Sequence, residues 1–212
     1  MTPLYAIVDV EAAERAGWRP FDLARAFLAG GATFLQLRAK TLAGAAFLEI
    51  AFAIAWVAHE AGARLIVNDR ADIARLAGAD GVHIGQDDLS PAAVRRVLGD
   101  GAVVGLSTHT SAQIAAAVHE PVSYVAIGPV FGTATKVTGY DAIGLGAVVT
   151  ASAAASGAGL PLVAIGGITL ETAPSVIEAG ATSVAVIRDL LSTGDPEART
   201  RAYLERLAPR SR

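Results

Sequence analysis

Residues 124–136 carry the sequence YVAIGPVFGTATK, in which a short apolar run passes directly into a loop of glycines, threonines and one lysine. The run Tyr124–Ile127 has no charged or small polar residue, which is typical of a strand covered on both faces. The loop has the composition of a phosphate cradle, because glycine lets backbone N–H groups approach an anion while threonine and lysine add donors. A glycine turn that only ends a buried strand is the alternative interpretation.

Similar apolar runs recur along the chain, and alanine-rich segments of helical period separate them. The eight runs are residues 4–8, 34–37, 65–67, 81–84, 103–106, 124–127, 162–165 and 183–186. Helix-start signals such as Ser90-Pro91, and glycines such as Gly30, Gly99 and Gly180, bound the segments between them. Eight strand–helix units predict a closed (β/α)₈ barrel, the TIM-barrel fold, with an open doubly wound sheet as the alternative.

The bulk composition is that of one globular unit. With 212 residues, 53% of them hydrophobic and 17% charged, and with no linker, we expect a single barrel domain over residues 1–212. A net charge of −3 gives no basic surface for nucleic acid, and the lack of cysteine excludes disulfides, thiolate metal sites and a cysteine nucleophile. The N-terminus lacks the features of a signal peptide, so a cytoplasmic location is expected. Residues 42–63 are interrupted by charged side chains and predict a buried helix, so no membrane association is expected.

In a (β/α)₈ barrel the active residues lie at the C-terminal ends of the strands. Gln36, Arg38 and Lys40 alternate with Leu37 and Ala39 at the end of the second run, so extended backbone directs all three polar side chains to one side. This pattern predicts an inward-facing cationic site. Two solvent-exposed basic residues at a strand end are the alternative.

Carboxylates follow the third and fourth runs. Asp69 comes after the third, and Asp87 and Asp88 come after the fourth. Because neighbouring strands lie about 4.8 Å apart, the two loops can share a cation, and Mg²⁺ suits a site with few carboxylates beside phosphate-binding groups. The alternatives are a helix cap or an ion pair with Arg70 for Asp69, and helix capping for the other two.

Polar residues or glycines also follow the later runs, and they are Ser107, His109, Gly166, Gly167 and Arg188. Barrels frequently bind phosphate with the loops after strands seven and eight, so a second anion is expected there, opposite the metal. His83 lies within an apolar run and is predicted to be a core histidine. His109 can act in catalysis or orient Ser107.

These segments, taken in order, resemble the thiamine phosphate synthase family over nearly the whole chain. The segments that carry the resemblance are QLRAK at 36–40, VND at 67–69, GVHIGQDDL at 81–89, GLSTH at 105–109, the loop 128–136, AIGGI at 164–168 and VAVI at 184–187. The resemblance implies a Mg²⁺-dependent transferase that joins hydroxymethylpyrimidine pyrophosphate to a hydroxyethylthiazole phosphate and releases pyrophosphate. These two small molecules are the expected partners, and no feature indicates an oligomeric state.

The resemblance also implies roles for individual residues. It implies that the pyrimidine pyrophosphate is bound by Gln36, Arg38, Lys40, Asn68, Ser107 and Lys136, among which Arg38, Lys40, Ser107 and Lys136 are the catalytic candidates. The thiazole phosphate would be bound by Thr133, Ala134, Thr135, Gly167, Ile187 and Arg188. Asp69 and Asp88 would be the magnesium ligands, with Asp88 preferred to Asp87 on the family's register alone.

The chain departs from the family pattern at Arg188, where serine is usual, and within residues 137–143. An arginine can add bidentate hydrogen bonds to a phosphate, or it can fill the site and alter substrate preference. Tyr5 is a candidate for stacking on the pyrimidine, with a core tyrosine as the alternative.

Two other functions are compatible with such a barrel. A thiazole tautomerase would use acid–base chemistry, with His109 as the candidate, but a proton shift has no pyrophosphate for a metal at Asp69 and Asp88 to bridge. A non-catalytic thiamine-phosphate sensor would not need Gln36, Lys40 and both carboxylates. The synthase is therefore the expected function.

Overall fold

A computed structural model describes residues 1–132 and 141–208. Its eight strands are parallel and pair in chain order, and the last pairs with the first to close a barrel. The strands are β1 (Leu4–Asp9), β2 (Phe34–Arg38), β3 (Arg64–Asn68), β4 (Gly81–Ile84), β5 (Val103–Thr108), β6 (Tyr124–Ile127), β7 (Leu162–Ile165) and β8 (Ser183–Val186). The predicted (β/α)₈ barrel is confirmed, and the open doubly wound sheet is wrong because β1 and β8 are hydrogen-bonded.

The helices pack outside the strands. They are α1 (Val10–Arg15), α2 (Pro20–Ala29), α3 (Gly44–Glu60), α4 (Ala71–Ala77), α5 (Pro91–Leu98), α6 (Ser111–Ala117), α7 (Gly144–Gly157), α8 (Ala173–Glu178) and α9 (Pro196–Leu207), with a 3₁₀ helix at Arg188–Leu191. The additional helix α1 starts directly after β1, because the Asp9 carboxylate accepts a hydrogen bond from the Ala12 amide at 2.8 Å and caps it. Within the described residues, no helix is long and apolar enough to cross a membrane.

The strands are apolar at nearly every position because both of their faces are buried. On β1, Leu4, Ala6 and Val8 face outward into the layer between strands and helices. Tyr5 and Ile7 face inward, where they pack with residues from other strands to fill the lumen. This alternation follows from the two-residue period of a strand, and it places every second side chain inside the barrel.

The register of the strands determines which inward side chains are neighbours. Asp9 of β1 lies beside Arg38 of β2, and Asn68 of β3 lies beside His83 of β4. Because all strands are parallel, their C-terminal residues meet at one end of the barrel, where the predicted polar side chains gather.

Candidate active site

A cavity of about 370 Å³ opens at the C-terminal ends of the strands. The predicted residues that line it are Gln36, Arg38, Asn68, Ser107, Gly167, Ile187 and Arg188. Thr133, Ala134, Thr135 and Lys136, predicted from the glycine-rich loop, lie outside the described residues. The remaining three predicted residues, Lys40, Asp69 and Asp88, form a polar cluster on the loops that follow β2, β3 and β4.

Arg38 is fixed by a carboxylate from the neighbouring strand. Its Nη1 donates to Asp9 Oδ2, and both side chains are largely withdrawn from water. Asp9 uses its other oxygen to cap α1, so one buried carboxylate joins the start of that helix to the guanidinium. A charge-assisted hydrogen bond of this kind holds Arg38 in one position at the cavity wall.

The backbone that carries Lys40 is held by Glu11 of α1. Glu11 Oε1 accepts hydrogen bonds from the amides of Lys40 at 2.8 Å and Thr41 at 3.0 Å, and from the Thr41 hydroxyl at 3.0 Å. Burial opposes ionisation of Glu11, but these hydrogen bonds outweigh it and hold the pKa of the carboxyl below its ordinary value. Acidic residues at the end of β1 and just after it therefore position the cations at the end of β2 and just after it.

Lys40, Asp69 and Asp88 form a cluster of one cation and two carboxylates, and Lys40 does not line the cavity with Gln36 and Arg38 as the alternation predicted. Lys40 Nζ donates to Asp69 Oδ2, and Asp88 Oδ2 accepts from the Gly85 amide at 2.7 Å. Partial burial, together with the negative charge of Asp69 and the hydrogen bond that protonated Asp88 can donate to it, raises the pKa of Asp88 above its ordinary value. Asp88 is thus the carboxylate of its pair that approaches Asp69.

The described contacts differ from the alternative interpretations of the aspartates, and no side chain caps the start of α4. Arg70 pairs with Asp72 rather than with Asp69, at 2.7 and 2.5 Å. The helix α5 is capped by the Ser90 hydroxyl, which accepts from the Ala93 amide at 3.3 Å. Asp69 has a positive φ of 63°, an uncommon conformation for a residue other than glycine that occurs frequently at functional sites.

A chain of hydrogen-bonded side chains runs across the barrel interior beneath the cavity. Gln36 Nε2 donates to Tyr5 Oη at 2.8 Å, and Tyr5 Oη contacts Tyr124 Oη at 3.0 Å. Tyr124 Oη contacts His83 Nδ1 at 2.9 Å, and His83 Nε2 contacts Ser107 Oγ at 2.8 Å. We call these five side chains the lumen chain. Burial raises the pKa of both phenols well above the ordinary value, so both hydroxyls keep their protons.

Two predictions about histidines are revised by these contacts. His83 is buried, as expected for a core histidine, but it also lines the cavity and contacts Ser107. His109 does not orient Ser107: its Nδ1 lies 2.6 Å from the Gly128 carbonyl oxygen, to which it donates. His83 lies 24 residues before Ser107, so the sequence alone did not indicate that these two side chains are in contact.

The opposite wall of the cavity is formed by the loops after β6, β7 and β8. Gly167 has a φ of 64°, and a side chain there would place Cβ only 2.5 Å from the Gly132 carbonyl oxygen. The close approach of these two loops therefore requires glycine at this position. Ile187 and Arg188 complete the wall at the start of the 3₁₀ helix.

An ionic cluster ties this wall to the last helix. Asp189 Oδ2 accepts from Arg199 Nη2 at 2.8 Å, from the Tyr203 hydroxyl at 2.6 Å and from the Leu170 amide at 3.1 Å. Burial, followed by the hydrogen bond to Asp189, raises the pKa of Tyr203 far above its ordinary value. The loops after β7 and β8 are thus both fastened to α9.

Sequence reasoning missed the residues that hold the predicted ones in place: Asp9, Glu11, Asp189, Arg199 and Tyr203. Asp9 and Glu11 could have been found, because they follow the first apolar run just as the predicted polar residues follow the others. The three residues around α9 carry no such signal, since their contacts depend on how the helix packs.

A family model described as thiamine monophosphate synthase matches residues 4–190, from the first strand into the 3₁₀ helix. The chain belongs to this family. Every predicted site residue lies within the matched part. The family resemblance inferred from the sequence segments is therefore confirmed.

Relatives in the thiamine monophosphate synthase family are similar along most of the chain. A thiamine-phosphate synthase of Roseiflexus castenholzii is 40% identical over 208 residues, covering 98% of this chain and 89% of the relative. One from Methanoculleus marisnigri is 45% identical over 187 residues, covering 88% and 87%. The solved structure of a thiamine phosphate pyrophosphorylase from Pyrococcus furiosus superposes with a TM-score of 0.85 at 26% identity, covering 97% of this chain and 96% of that one.

Proposed function

We propose that the protein is a thiamine phosphate synthase, which condenses hydroxymethylpyrimidine pyrophosphate with hydroxyethylthiazole phosphate and releases pyrophosphate. The observation that supports the proposal is that one cavity has basic side chains on two of its sides, each of which would bind one anion. Arg38, with Lys40 and the two carboxylates nearby, forms the first side. Gly167 and Arg188 belong to the second side.

The reaction needs departure of a leaving group and no protein nucleophile. The bond between the pyrimidine methylene carbon and the pyrophosphate oxygen breaks, and its electron pair leaves with pyrophosphate. The thiazole nitrogen then forms the new bond to that carbon, and the electron-rich aminopyrimidine ring supports the intervening cation. Arg38, Lys40 and Lys136 would stabilise the charge that grows on pyrophosphate, and the loops after β6, β7 and β8 would hold the thiazole in line.

Asp69 and Asp88 are the residues that would hold Mg²⁺. Within residues 1–132 and 141–208, no group of three or more acidic or histidine side chains is assembled for a metal. Two adjacent carboxylates fit Mg²⁺ nonetheless, because this ion commonly takes one or two carboxylates and completes its shell with water and substrate phosphate. Burial, and then the neighbouring Asp69 carboxylate, raise the pKa of Asp88, and a cation shared by the two carboxylates would compensate for both effects. When bound, Mg²⁺ supplies positive charge to the leaving pyrophosphate.

Pyrophosphate release tests the proposal directly. With Mg²⁺ and both substrates, we expect one pyrophosphate for each thiamine phosphate formed, and release that depends on the thiazole phosphate. Each substrate alone serves as the control. A protein that interconverts thiazole phosphate tautomers but releases no pyrophosphate would be a tautomerase, and one that only binds thiamine phosphate would be a sensor.

Arg188 is expected to contact the thiazole phosphate. Arg188→Ser should raise the apparent KM for that substrate by about ten-fold, which corresponds to the loss of one hydrogen bond to a charged group. The KM for the pyrimidine pyrophosphate should change little. Steady-state kinetics with each substrate varied in turn measures both values.

The matched control is Arg201→Ser on α9, which removes an exposed arginine that pairs with Glu197. It should leave both KM values unchanged. If Arg188→Ser keeps the thiazole KM and instead lowers the free energy of unfolding, the arginine supports the 3₁₀ helix rather than the substrate.

A further inference from the structure

Counting donors and acceptors determines which group donates in each hydrogen bond of the lumen chain. Each hydroxyl has one proton, a neutral imidazole has one N–H, and the Gln36 amide nitrogen donates to Tyr5 Oη. If Tyr124 also donated to Tyr5, the buried Tyr5 proton would have no acceptor within the chain, at a cost that native structures avoid. Tyr5 therefore donates to Tyr124.

The same counting continues to the other end. Tyr124, having accepted from Tyr5, donates to His83 Nδ1. The imidazole proton then lies on Nε2, which donates to Ser107 Oγ. The hydroxyl proton of Ser107 is left for the cavity, and at the other end the carbonyl oxygen of Gln36 is the group that can accept from a bound molecule.

We propose that Tyr5, Tyr124 and His83 are positioning residues that select the pyrimidine substrate. Through them, Gln36 faces the cavity as a hydrogen-bond acceptor and Ser107 as a donor. Such a pair fits a heteroaromatic ring that has both an exocyclic amino group and an unprotonated ring nitrogen. The inference rests on the proposed function, in which an aminopyrimidine occupies this side of the cavity.

The chain makes the two ends interdependent. Reversing it would turn Ser107 into an acceptor and Gln36 into a donor at the same time. That reversed pattern fits the ring in which the amino group is replaced by a carbonyl and the ring nitrogen carries a proton. A fixed direction therefore discriminates between the amino ring and the oxo ring, because the wrong ring leaves buried polar groups unpaired.

Packing around the middle of the chain favours a fixed arrangement. His83 stacks on Tyr124 with ring centroids 5.6 Å apart and an interplanar angle of 16°. Gly105 lies between them on β5, in register with His83 on one side and Tyr124 on the other. A Cβ at Gly105 would lie 2.6 Å from His83 Nδ1 and 2.3 Å from Tyr124 Oη, so this strand position is shaped for the pair.

The tautomer of His83 tests the direction without any substrate. The chain has four histidines, and the resonances of His83 can be assigned by comparing ¹⁵N-labelled wild-type protein with His83→Gln. We expect imidazole nitrogen shifts and couplings that place the proton on Nε2. A proton on Nδ1, or an imidazolium, would overturn the inference.

Substrate discrimination tests the consequence. In Tyr124→Phe, the ratio of kcat/KM for the amino substrate to that for its oxo analogue should fall by about ten-fold or more. Tyr5→Phe removes the hydroxyl that contacts both Gln36 and Tyr124, and it should lower the same ratio. This variant replaces Tyr124→Phe in the test if Tyr124→Phe does not fold. Tyr203→Phe removes a buried hydroxyl that contacts Asp189, outside the lumen, and should leave the ratio unchanged.

The outcomes separate this inference from the proposed function. A purely structural role of the tyrosines would lower kcat/KM for both rings in parallel, and an unchanged ratio would overturn the inference while synthase activity remained. Absence of pyrophosphate release from the wild-type protein would overturn the proposed function and the substrate assignment together, whereas a proton on Nε2 would still support the direction of the chain.

Discussion

Replacing either Asp69 or Asp88 with asparagine is expected to lower Mg²⁺-dependent pyrophosphate release by about 100-fold, the scale for removing one group that stabilises developing charge. Each replacement removes one of two carboxylates that would hold the metal on the leaving group. Raised Mg²⁺ should partly restore the rate of each single variant, because the remaining carboxylate still binds the ion weakly. The measurement is the initial rate of pyrophosphate release as a function of Mg²⁺ concentration.

The double variant shows whether the two aspartates act as a unit. Its loss should be much smaller than the product of the two single fold-losses, because the first replacement already disrupts the metal site. Losses that multiply, with no rescue by Mg²⁺, would mean that the aspartates do not share an ion.

Asp87→Asn is the matched control, since Asp87 is exposed and directly precedes Asp88. It should retain nearly full activity. If Asp87→Asn were nearly inactive and Asp88→Asn remained active, Asp87 rather than Asp88 would be the metal ligand.

Gly105→Ala is expected to destabilise the barrel and to disrupt the lumen chain. The added Cβ would lie 2.1 Å from Tyr124 Cζ and 2.6 Å from His83 Nδ1, so both buried rings would have to shift. Overpacking of this kind costs about 1 to 3 kcal/mol in the free energy of unfolding. Denaturant unfolding measures the loss, and the same protein should release pyrophosphate more slowly because Ser107 is displaced with His83.

The control is Gly101→Ala, in the turn before β5, where a Cβ meets no atom within 4 Å. It should unfold at about the wild-type denaturant concentration. If Gly105→Ala is as stable and as active as this control, the stack of His83 on Tyr124 is not tightly packed.

Much of the barrel could be predicted from sequence because both faces of each strand are buried. Runs such as residues 162–165 are apolar at every position, and helical segments separate them. The positions of polar residues after these runs, including Arg38, Asp69 and Ser107, then followed from the general rule for barrel active sites. Strand ends were predicted less well, since hydrogen-bonded backbone continues through polar residues such as Asp9 and Thr108.

The contacts between strands could not be predicted in this way. Local pattern places Gln36, His83 and Ser107 on three strands, but the lumen chain depends on strand register and on the space left by Gly105. The ionic cluster at Asp189 depends likewise on how α9 returns to the barrel. Sequence therefore indicated many of the side chains that line the cavity, and packing determines which of them touch.

The hydrogen bonds from Arg199 and Tyr203 to Asp189 affect the order in which the two sides of the cavity form during synthesis. The first four strands and the loops that follow them carry Arg38, Lys40, Asp69 and Asp88, so one proposed anion-binding side is encoded in the first half of the chain. The opposite side needs β7, β8 and finally α9, whose arginine and tyrosine follow all eight strands along the chain. Domains form as units while the chain emerges from its N-terminus. All eight strands can therefore be synthesised before the helix that secures the second side, so the second side becomes competent after the first.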